Sequence, residues 1–338
     1  MRPRGAQNGQ MATSDSEPTT RLEGCWFLTG PTASGKTAIG IELALRLGAE
    51  IISIDSMAIY RRLDIGTAKP TAAEQAQVPH HLIDVLDPHE DSSVAQFIES
   101  ALRTVDEIRG RGKRVLFVGG SPLYLKALLL GLFDGPPADW ELRQQLIAWA
   151  EQATPDALHA RLAQVDPQAA QRLHPHDTRR LVRALEVFEL TGRPISHWQT
   201  QFEGSANQSQ PLAFALSWPR EELYRRIDQR VEAMFAAGLV AETAALLDTG
   251  RPVSRTARQA VGYREVLAHL EEGLPLDETI ALVKTKTRQF AKRQLTWFRS
   301  LKMFRQVPLE PGEDAASAAV RIQQLGELAQ DFGGTATS

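Results

Sequence analysis

Residues 25–37 read CWFLTGPTASGKT, and this stretch decides the fold. The apolar run from Cys25 to Thr29 is a short strand by composition, and from Lys36 to Leu47 the apolar positions recur at helical spacing. Between them, Gly30 to Thr37 matches the pattern G-x-x-x-x-G-K-[ST] in full. Gly30 and Gly35 let the backbone bend, so that successive amides of the loop, which runs through Pro31, Thr32, Ala33 and Ser34, point into one concavity, to which the helix N-terminus adds partial positive charge. Lys36 brings a point charge for terminal phosphates, and the Thr37 hydroxyl is placed to ligate Mg²⁺. A diphosphate or triphosphate site is implied; a nucleotide is not.

Outward from this loop, Glu50 to Asp55 (EIISID) reads as a second strand, and strand, helix, strand in close succession implies a parallel sheet with a crossover helix. His81–Leu86 and Arg114–Val118 read as further strands, with Ser92–Arg109 as a helix between them. After Asp134 the breaker GPPAD introduces helical spacing over Asp139–Gln164 and Asp177–Leu190, and Gln199–Gln210 is a polar linker. Pro211–Trp218 returns as a strand. Helices follow over Pro219–Leu247, Arg258–Leu270, Asp277–Phe304 and Ala315–Gln330. The expected fold is therefore α/β, a P-loop NTPase-like parallel sheet with flanking helices, formed by residues 23–134 and 208–332. A helical insertion over 135–207 interrupts it, and a disordered lead (1–22) and tail (333–338) flank it.

Composition agrees. At roughly 150 residues per domain, 338 residues suggest about two domains or one core with a large insertion. With 43% hydrophobic and 23% charged residues, collagen, wholesale disorder and a coiled-coil rod are excluded. No apolar run reaches the roughly 18–20 residues of a membrane span, and the polar lead lacks the apolar stretch of a secretory signal. The single cysteine, Cys25, forms no internal disulfide, which agrees with a reducing, cytoplasmic setting; it reads as a small strand hydrophobe. Net charge is -3, yet Ala281–Arg305 holds eight basic residues and no acidic one. Lys284, Arg288, Lys292, Arg299 and Lys302 fall within about 80° of one helix face, suited to a nucleic-acid backbone, with Phe290, Trp297, Leu301 and Phe304 expected in the core opposite.

Three further features bear on chemistry. Asp55 ends the second strand, where ligands gather in open α/β sheets; it can serve as general base, outer magnesium partner or helix cap. The strand RVLFV runs into Gly119-Gly120-Ser121 and not into an acid, which weakens an ATPase reading. On the helix from Pro219, Arg230 lies within about 20° of Leu223 at the edge of the apolar arc and needs an anionic partner, either an internal carboxylate or a phosphate, while Arg226 lies farther round. The cluster His80, His81, Asp84, Asp87, His89 and Asp91 has no zinc spacing and reads as structural.

With these residues in view, the chain closely resembles the tRNA dimethylallyltransferases, prenyltransferases that modify the adenine 3′ of the anticodon. The resemblance spans about Gly24 to Phe304. It rests on GPTASGKT, IISIDSMAIYRRLDIGTAKP (Ile51–Pro70), PHHLIDVLDP (Pro79–Pro88), VGGSPLYLKALL (Val118–Leu129), RRLVRALEVFELTGRP (Arg179–Pro194), QAVGYREV (Gln259–Val266) and TRQFAKRQLTWFR (Thr287–Arg299). It implies that the loop holds the diphosphate of dimethylallyl diphosphate, with Mg²⁺ at Thr37. Asp55 then takes a proton from the adenine amine, and Lys36, Thr37 and Arg230 handle the leaving diphosphate. It further implies contact with the tRNA anticodon stem-loop by Asp55, Ser56, Met57 and Ala58, by Ser121 and Arg143, by Arg179, Arg180, Leu181, Val182 and Arg183, and by Gln259, Ala260, Val261, Gly262, Tyr263 and Arg264. Lys292 and Arg299 of the basic arc are expected beside them, and the protein is expected to be a monomer. The family more often has Thr at Ser121, Gly or Met at Pro122 and Gln at Ala58. The competing readings are a small-molecule kinase of the shikimate-kinase type, which leaves the insertion and the basic helix without a role, and a nucleotide-dependent RNA-binding switch, which lacks its acid.

Overall fold

The computed structural model describes residues 20–131, 135–198 and 211–333; the polar linker and nearly all of the expected lead and tail lie outside them. In chain order the elements are β1 (Trp26–Thr29), α1 (Lys36–Leu47), β2 (Ala49–Ile54), α2 (Ala72–Gln75), β3 (His80–His81), α3 (Val94–Gly110), β4 (Arg114–Gly119) and α4 (Pro122–Leu130). Then come α5 (Trp140–Gln152), α6 (Ala157–Val165), α7 (Pro167–Arg172), α8 (Thr178–Thr191), α9 (Ile195–Trp198), β5 (Leu212–Ser217) and α10 (Arg220–Ala236). The chain ends with α11 (Leu239–Leu247), α12 (Arg255–Arg258), α13 (Tyr263–Glu272), α14 (Leu276–Ser300), β6 (Arg305–Pro308) and α15 (Ala315–Gly333). None of the described helices is long and apolar enough to cross a membrane.

The six strands form one sheet in the order β3-β2-β4-β1-β5-β6, with every pairing parallel. Helices cover both faces, which is why β1, β2 and β5 read as continuous apolar runs and not as alternating ones. On one face Phe27, Ile52, Ile54, Phe117 and Ala215 pack with Phe97 and Val105 of α3, Leu125 of α4 and Phe298 of α14. On the other, Trp26, Leu28, Ile51, Leu116 and Phe214 pack with Ile39 and Leu43 of α1 and Ala319 and Ile322 of α15. Because β1 lies between β4 and β5, the loop after β1 opens at a switch in strand order, with the carboxyl end of β4 beside it and that of β2 next beyond.

The described chain separates into two compact units, one spanning residues up to 129 and from 211 onward, the other lying within Leu130–Gln208. The second is all helix around Leu146, Leu158, Leu162, Leu181, Val182 and Leu185. Glu186 is fully buried in it and accepts both nitrogens of Arg143, Nε at 2.8 Å and Nη2 at 2.9 Å, a bond from Arg183 and the Asp139 amide at 2.7 Å.

Five element boundaries differ from the sequence-based expectation. The long helix expected over Asp139–Gln164 is broken at Ala153, because Pro155 disfavours helix in the residue before it. The helix expected over Pro219–Leu247 breaks at Gly238, whose φ is 102°. The strand expected over His81–Leu86 is only His80–His81, since Leu82 and Asp84 adopt φ of 60° and 57° and turn the chain out of the sheet. The helix expected from Arg258 starts instead at Tyr263, after the short turn of α12. Helix α14 ends at Ser300, and Arg305–Pro308 forms an unexpected edge strand in which only Val307 is buried. The inner line of α14 is Thr279, Val283, Ala291, Gln294 and Phe298; of the residues expected in the core, Phe304 is buried and Leu301 packs against it just past the helix, whereas Phe290 and Trp297 are only half-buried.

Candidate active site

The glycine loop makes the turn that its sequence requires. Gly35 precedes α1 with φ of 88°, and Ala33 holds φ of 63°, a conformation that costs a non-glycine residue roughly 1 kcal/mol or more. Side chains from distant segments back this geometry. The Trp218 indole donates to the Ser34 carbonyl at 3.1 Å, and Arg226 stacks on Trp218 at 4.7 Å while its Nε donates to the Ala33 carbonyl at 2.9 Å. Arg226 therefore lies against the loop, closer than its helical angle suggested. Lys36 Nζ donates to the Pro31 carbonyl at 2.7 Å.

At the end of β2, Asp55 Oδ1 accepts the amides of Met57 at 2.9 Å and Ala58 at 3.3 Å, so this oxygen shapes the turn, while Oδ2 makes no hydrogen bond among the described residues. The Ser56 amide donates to Ser121 Oγ at 3.0 Å, and the Ser121 amide donates to the Ile54 carbonyl at 3.2 Å. Asp55–Ala58 and Ser121 are thus one structural unit at adjacent strand ends. The glycines after β4 are there for space. A Cβ on Gly119 would fall 2.1 Å from the Ile54 carbonyl oxygen, and one on Gly120 would meet Gly30 O at 3.1 Å and Lys36 Nζ at 3.4 Å. A side chain on Gly119 is blocked by the backbone of β2, and one on Gly120 would press on Gln294 Nε2 at 2.8 Å.

Lys36, Arg230 and Asp55 are close enough to perturb one another. Burial and the Arg230 charge push the Lys36 ammonium down to about 7, against the pull of Asp55. Arg230 likewise loses solvation, with the Asp55 charge opposing that loss. Its Nη2 donates to the Thr67 carbonyl at 3.3 Å, and its buried Nε has no hydrogen-bond partner among the described residues. Neither cation makes a carboxylate pair within the 4 Å of a salt bridge among the described residues, so two partly buried basic groups face a site with one carboxylate standing off from both. That is an anion-binding arrangement.

The loop that holds Arg230 is itself tied down. Glu242 accepts the Asp64 amide at 3.1 Å and the Ile65 amide at 2.9 Å and takes the Tyr263 hydroxyl, which in turn accepts the Gly66 amide at 3.1 Å. Lys69, 4% exposed, bonds Tyr60 O, Asp64 and Asp84. Polar residues spaced through DIGTAKP were the sequence signal for this network, and Glu242 had none.

Several helical threonines spend their hydroxyls inside their own helix. Thr104, Thr243, Thr279 and Thr287 each donate to the carbonyl four residues back, at 2.7–2.9 Å. The half-exposed Thr37 hydroxyl makes no such bond, and is free as a hard oxygen ligand. A Mg²⁺ that takes most of its oxygens from phosphate and water fits this donor set.

The remaining predicted positions divide. Arg179 and Arg180 are exposed, whereas Leu181 and Val182 are core residues of the helical unit and present no side chain to a ligand; Arg143 and Arg183 are committed to Glu186. Burial would raise the Glu186 carboxyl, but bonds from Arg143, Arg183 and the Asp139 amide hold it below its ordinary range. In the main unit, Gln259 and Arg264 are exposed and Val261 half-exposed, but Ala260, Gly262 and Tyr263 are buried. Of the basic arc, Lys284 pairs with Glu232 and Arg288 with Asp228 at 3.0 Å, so helix α10 neutralises that edge; Lys292 and Arg299 are exposed and make no ion pair among the described residues. The histidines of the acidic cluster are in structural use, His81 on Glu50 at 2.7 Å and His89 on the Pro252 carbonyl at 2.9 Å.

This geometry can be set beside known proteins. The sequence profile of IPP transferase matches residues 58–301. The chain belongs to the IPP transferase family. Among IPP transferase relatives, tRNA dimethylallyltransferase 1 of Trichlorobacter lovleyi is 50% identical over 273 residues, 81% of this chain and 90% of that protein. The tRNA dimethylallyltransferase of Pelotomaculum thermopropionicum is 43% identical over 301 residues, 89% and 95% of the two chains. The full-length tRNA isopentenylpyrophosphate transferase of Bacillus halodurans superposes with a TM-score of 0.66 at 37% identity, covering 92% of this chain and 99% of that one. A eukaryotic dimethylallyltransferase acting on tRNA superposes with a TM-score of 0.71 at 26% identity, covering 92% and 79%.

Proposed function

We propose that this IPP transferase moves a dimethylallyl group from dimethylallyl diphosphate to the exocyclic amine of the adenine 3′ of the anticodon in tRNA, releasing diphosphate. The observation that carries this reading is the pair Lys36 and Arg230, two partly buried basic groups without a carboxylate pair among the described residues, beside the free Oδ2 of Asp55. In an ATP-hydrolysing site an acid at the end of β4 would be expected, and Gly119, Gly120 and Ser121 stand there instead. The kinase alternative is not favoured, because the matching relatives span the insertion as well as the core.

In the reaction the adenine nitrogen forms a bond to the allylic carbon as the carbon–oxygen bond to diphosphate breaks. A purine amine is a weak nucleophile, so its proton is taken by Asp55 as the bond forms; general-base help of this kind contributes about 10²–10⁴-fold. Negative charge grows on the departing diphosphate, where Lys36, Arg230 and the loop amides are already aimed. Mg²⁺ bound with the help of Thr37 would supply further charge neutralisation there. The two bonds to Asp55 Oδ1 fix the carboxylate so that its other oxygen faces the acceptor. The tRNA backbone is met by Lys292 and Arg299 on α14, by Gln259, Val261 and Arg264, and by Arg179 and Arg180 of the helical unit, with Ser56, Met57, Ala58 and Ser121 around the target base. Arg143 and Arg183 act by shaping their segment. The adenine leaves its stack, at less cost in an anticodon loop than in a duplex. A single cysteine and a tRNA substrate suit the cytoplasm.

The test is mass spectrometry of tRNA incubated with the protein, Mg²⁺ and dimethylallyl diphosphate, with ATP in a parallel reaction. A mass gain of one dimethylallyl group at the adenine 3′ of the anticodon is expected. Phosphoryl transfer from ATP with no prenylated nucleoside would overturn the reading.

A further inference from the structure

Gln294 is a polar residue on the buried line of α14, 2% exposed between Ala291 and Phe298. Both ends of its amide are used. Oε1 accepts the Thr32 amide at 2.8 Å, and Nε2 donates to the Gly120 carbonyl at 2.7 Å. These partners fix the orientation of the side-chain amide, since the flipped form would set acceptor against acceptor and donor against donor. One partner lies in the first turn of the phosphate loop. The other lies where a Cβ would touch Gly30 O and Lys36 Nζ. A single side chain from far along the sequence thus spans the gap between the start of the loop and the end of β4.

A nest of amides binds an anion well only if its peptide planes are held before the anion arrives. Here Trp218 and Arg226 hold the carbonyls of Ser34 and Ala33, and Gln294 alone holds the amide of Thr32. Without that bond the Thr32 peptide can rotate, carrying its neighbours' N–H groups off the site, and Gly120 loses its tether beside Lys36.

We propose that Gln294 is a positioning residue for the prenyl donor. It touches no reacting atom, and acts by keeping the loop in its anion-binding geometry through Thr32 and Gly120. Because Lys292 and Arg299 flank it on α14, it also joins the proposed tRNA-facing arc to the diphosphate site. This rests on the diphosphate reading of the loop proposed above.

The experiment is titration calorimetry of the full chain with inorganic diphosphate and Mg²⁺, paired with steady-state kinetics. Gln294→Met preserves length and loses both bonds. Gln294→Glu still accepts from Thr32 but cannot donate to Gly120, and sets a negative charge toward Lys36. Loss of a buried bond of this kind corresponds to about a tenfold weaker diphosphate Kd for the Met variant. The Glu variant should bind more weakly still, and donor KM should rise in parallel while the KM for tRNA stays within about twofold. A folded Met variant with wild-type diphosphate affinity, or equal losses toward donor and tRNA, overturns the proposal. Should the variants not fold, amide exchange in the wild type decides: Thr32 N–H should be strongly protected without ligand, and free exchange refutes the clamp. Wild-type protein that binds diphosphate but does not prenylate tRNA defeats the functional reading and leaves the clamp intact; wild-type protein that does not bind diphosphate defeats both.

Discussion

Replacing Asp55 by Asn isolates the proton-accepting role, because the structure separates what the two carboxylate oxygens do. The Asn carbonyl can still accept the Met57 and Ala58 amides now taken by Oδ1 at 2.9 and 3.3 Å, so the turn that presents Ser56 to Ser121 is retained. The other oxygen becomes an NH₂ group, which accepts no proton. General-base catalysis is worth about 10²–10⁴-fold, or roughly 2.7–5.5 kcal/mol at 1.36 kcal/mol per decade. Asp55 also raises Lys36 toward its value of about 7, so its neutralisation alters the lysine as well. Single-turnover measurement at saturating donor, where the bound diphosphate charge keeps Lys36 protonated, leaves the chemical rate to report chiefly on the base. The expected result is a rate lower by at least 10²-fold with tRNA affinity within a few-fold. Asp55→Ala should lose further affinity for tRNA because it also frees two amides, at about 1 kcal/mol each. A D55N rate within tenfold of wild type would refute the assignment and leave Asp55 as a turn-forming residue.

Other substitutions follow from the same geometry. Arg230→Ala removes a buried charge that faces Lys36 and Asp55, and should weaken diphosphate binding by about 10²-fold in calorimetry, whereas Arg226→Ala, which removes a brace on the Ala33 carbonyl, should cost about tenfold; equal losses would show that both arginines act alike. Lys292→Glu with Arg299→Glu should lower the slope of log affinity for tRNA against log salt by about 1.4–1.8, and an unchanged slope would make them ordinary surface. In the helical unit, Glu186 is held below its ordinary pKa of 4.5 by its arginine partners, so its contribution to stability is present above about pH 4.5 and lost as pH falls below it. Glu186→Gln should therefore destabilise by about 2–3 kcal/mol at pH 7, less than a fully buried pair because Arg143 and Arg183 are 20% and 25% exposed, with the difference from wild type narrowing as pH falls below 4.5 in thermal melts.

The parts of the fold legible in the sequence were those whose residues act locally. The loop from Gly30 to Thr37 declares itself because bending, amide exposure and helix initiation all fall within eight neighbouring residues, and α1 runs over the span Lys36–Leu47 that its periodicity gives. Strands β1, β2, β4 and β5 were legible because burial on both faces leaves unbroken apolar runs. Strand β6 was not, since an edge strand reading RQVP buries one side chain and ends in proline. In the site, Asp55 could be placed from its strand end, and Arg230 from its helical angle. Arg226 could not, because its closeness to Ala33 depends on Trp218, which the angle does not contain. Gln294 left a signal that was open to reading: a polar residue at helical spacing among Val283, Ala291 and Phe298 needs partners inside the protein. What the spacing withholds is which backbone groups those partners are.

The absence of side chains after β4 explains how one phosphate loop serves alkyl transfer. Gly119 approaches the Ile54 carbonyl so closely that β4 and β2 end together, and Gly120 lies against Lys36, so the negative group nearest the loop is displaced from the end of β4 to Asp55 at the end of β2. There it stands off from the cations instead of neutralising them, since neither Lys36 nor Arg230 forms an ion pair with it. On the proposed reading, a carboxylate in that place leaves the positive charges to the diphosphate and its unbonded oxygen to the acceptor. Returning an acid to the β4 end, as Gly120→Asp, should therefore fail twice: the new side chain collides with Gln294 Nε2, 2.8 Å from the Cβ position, and its charge competes with diphosphate for Lys36.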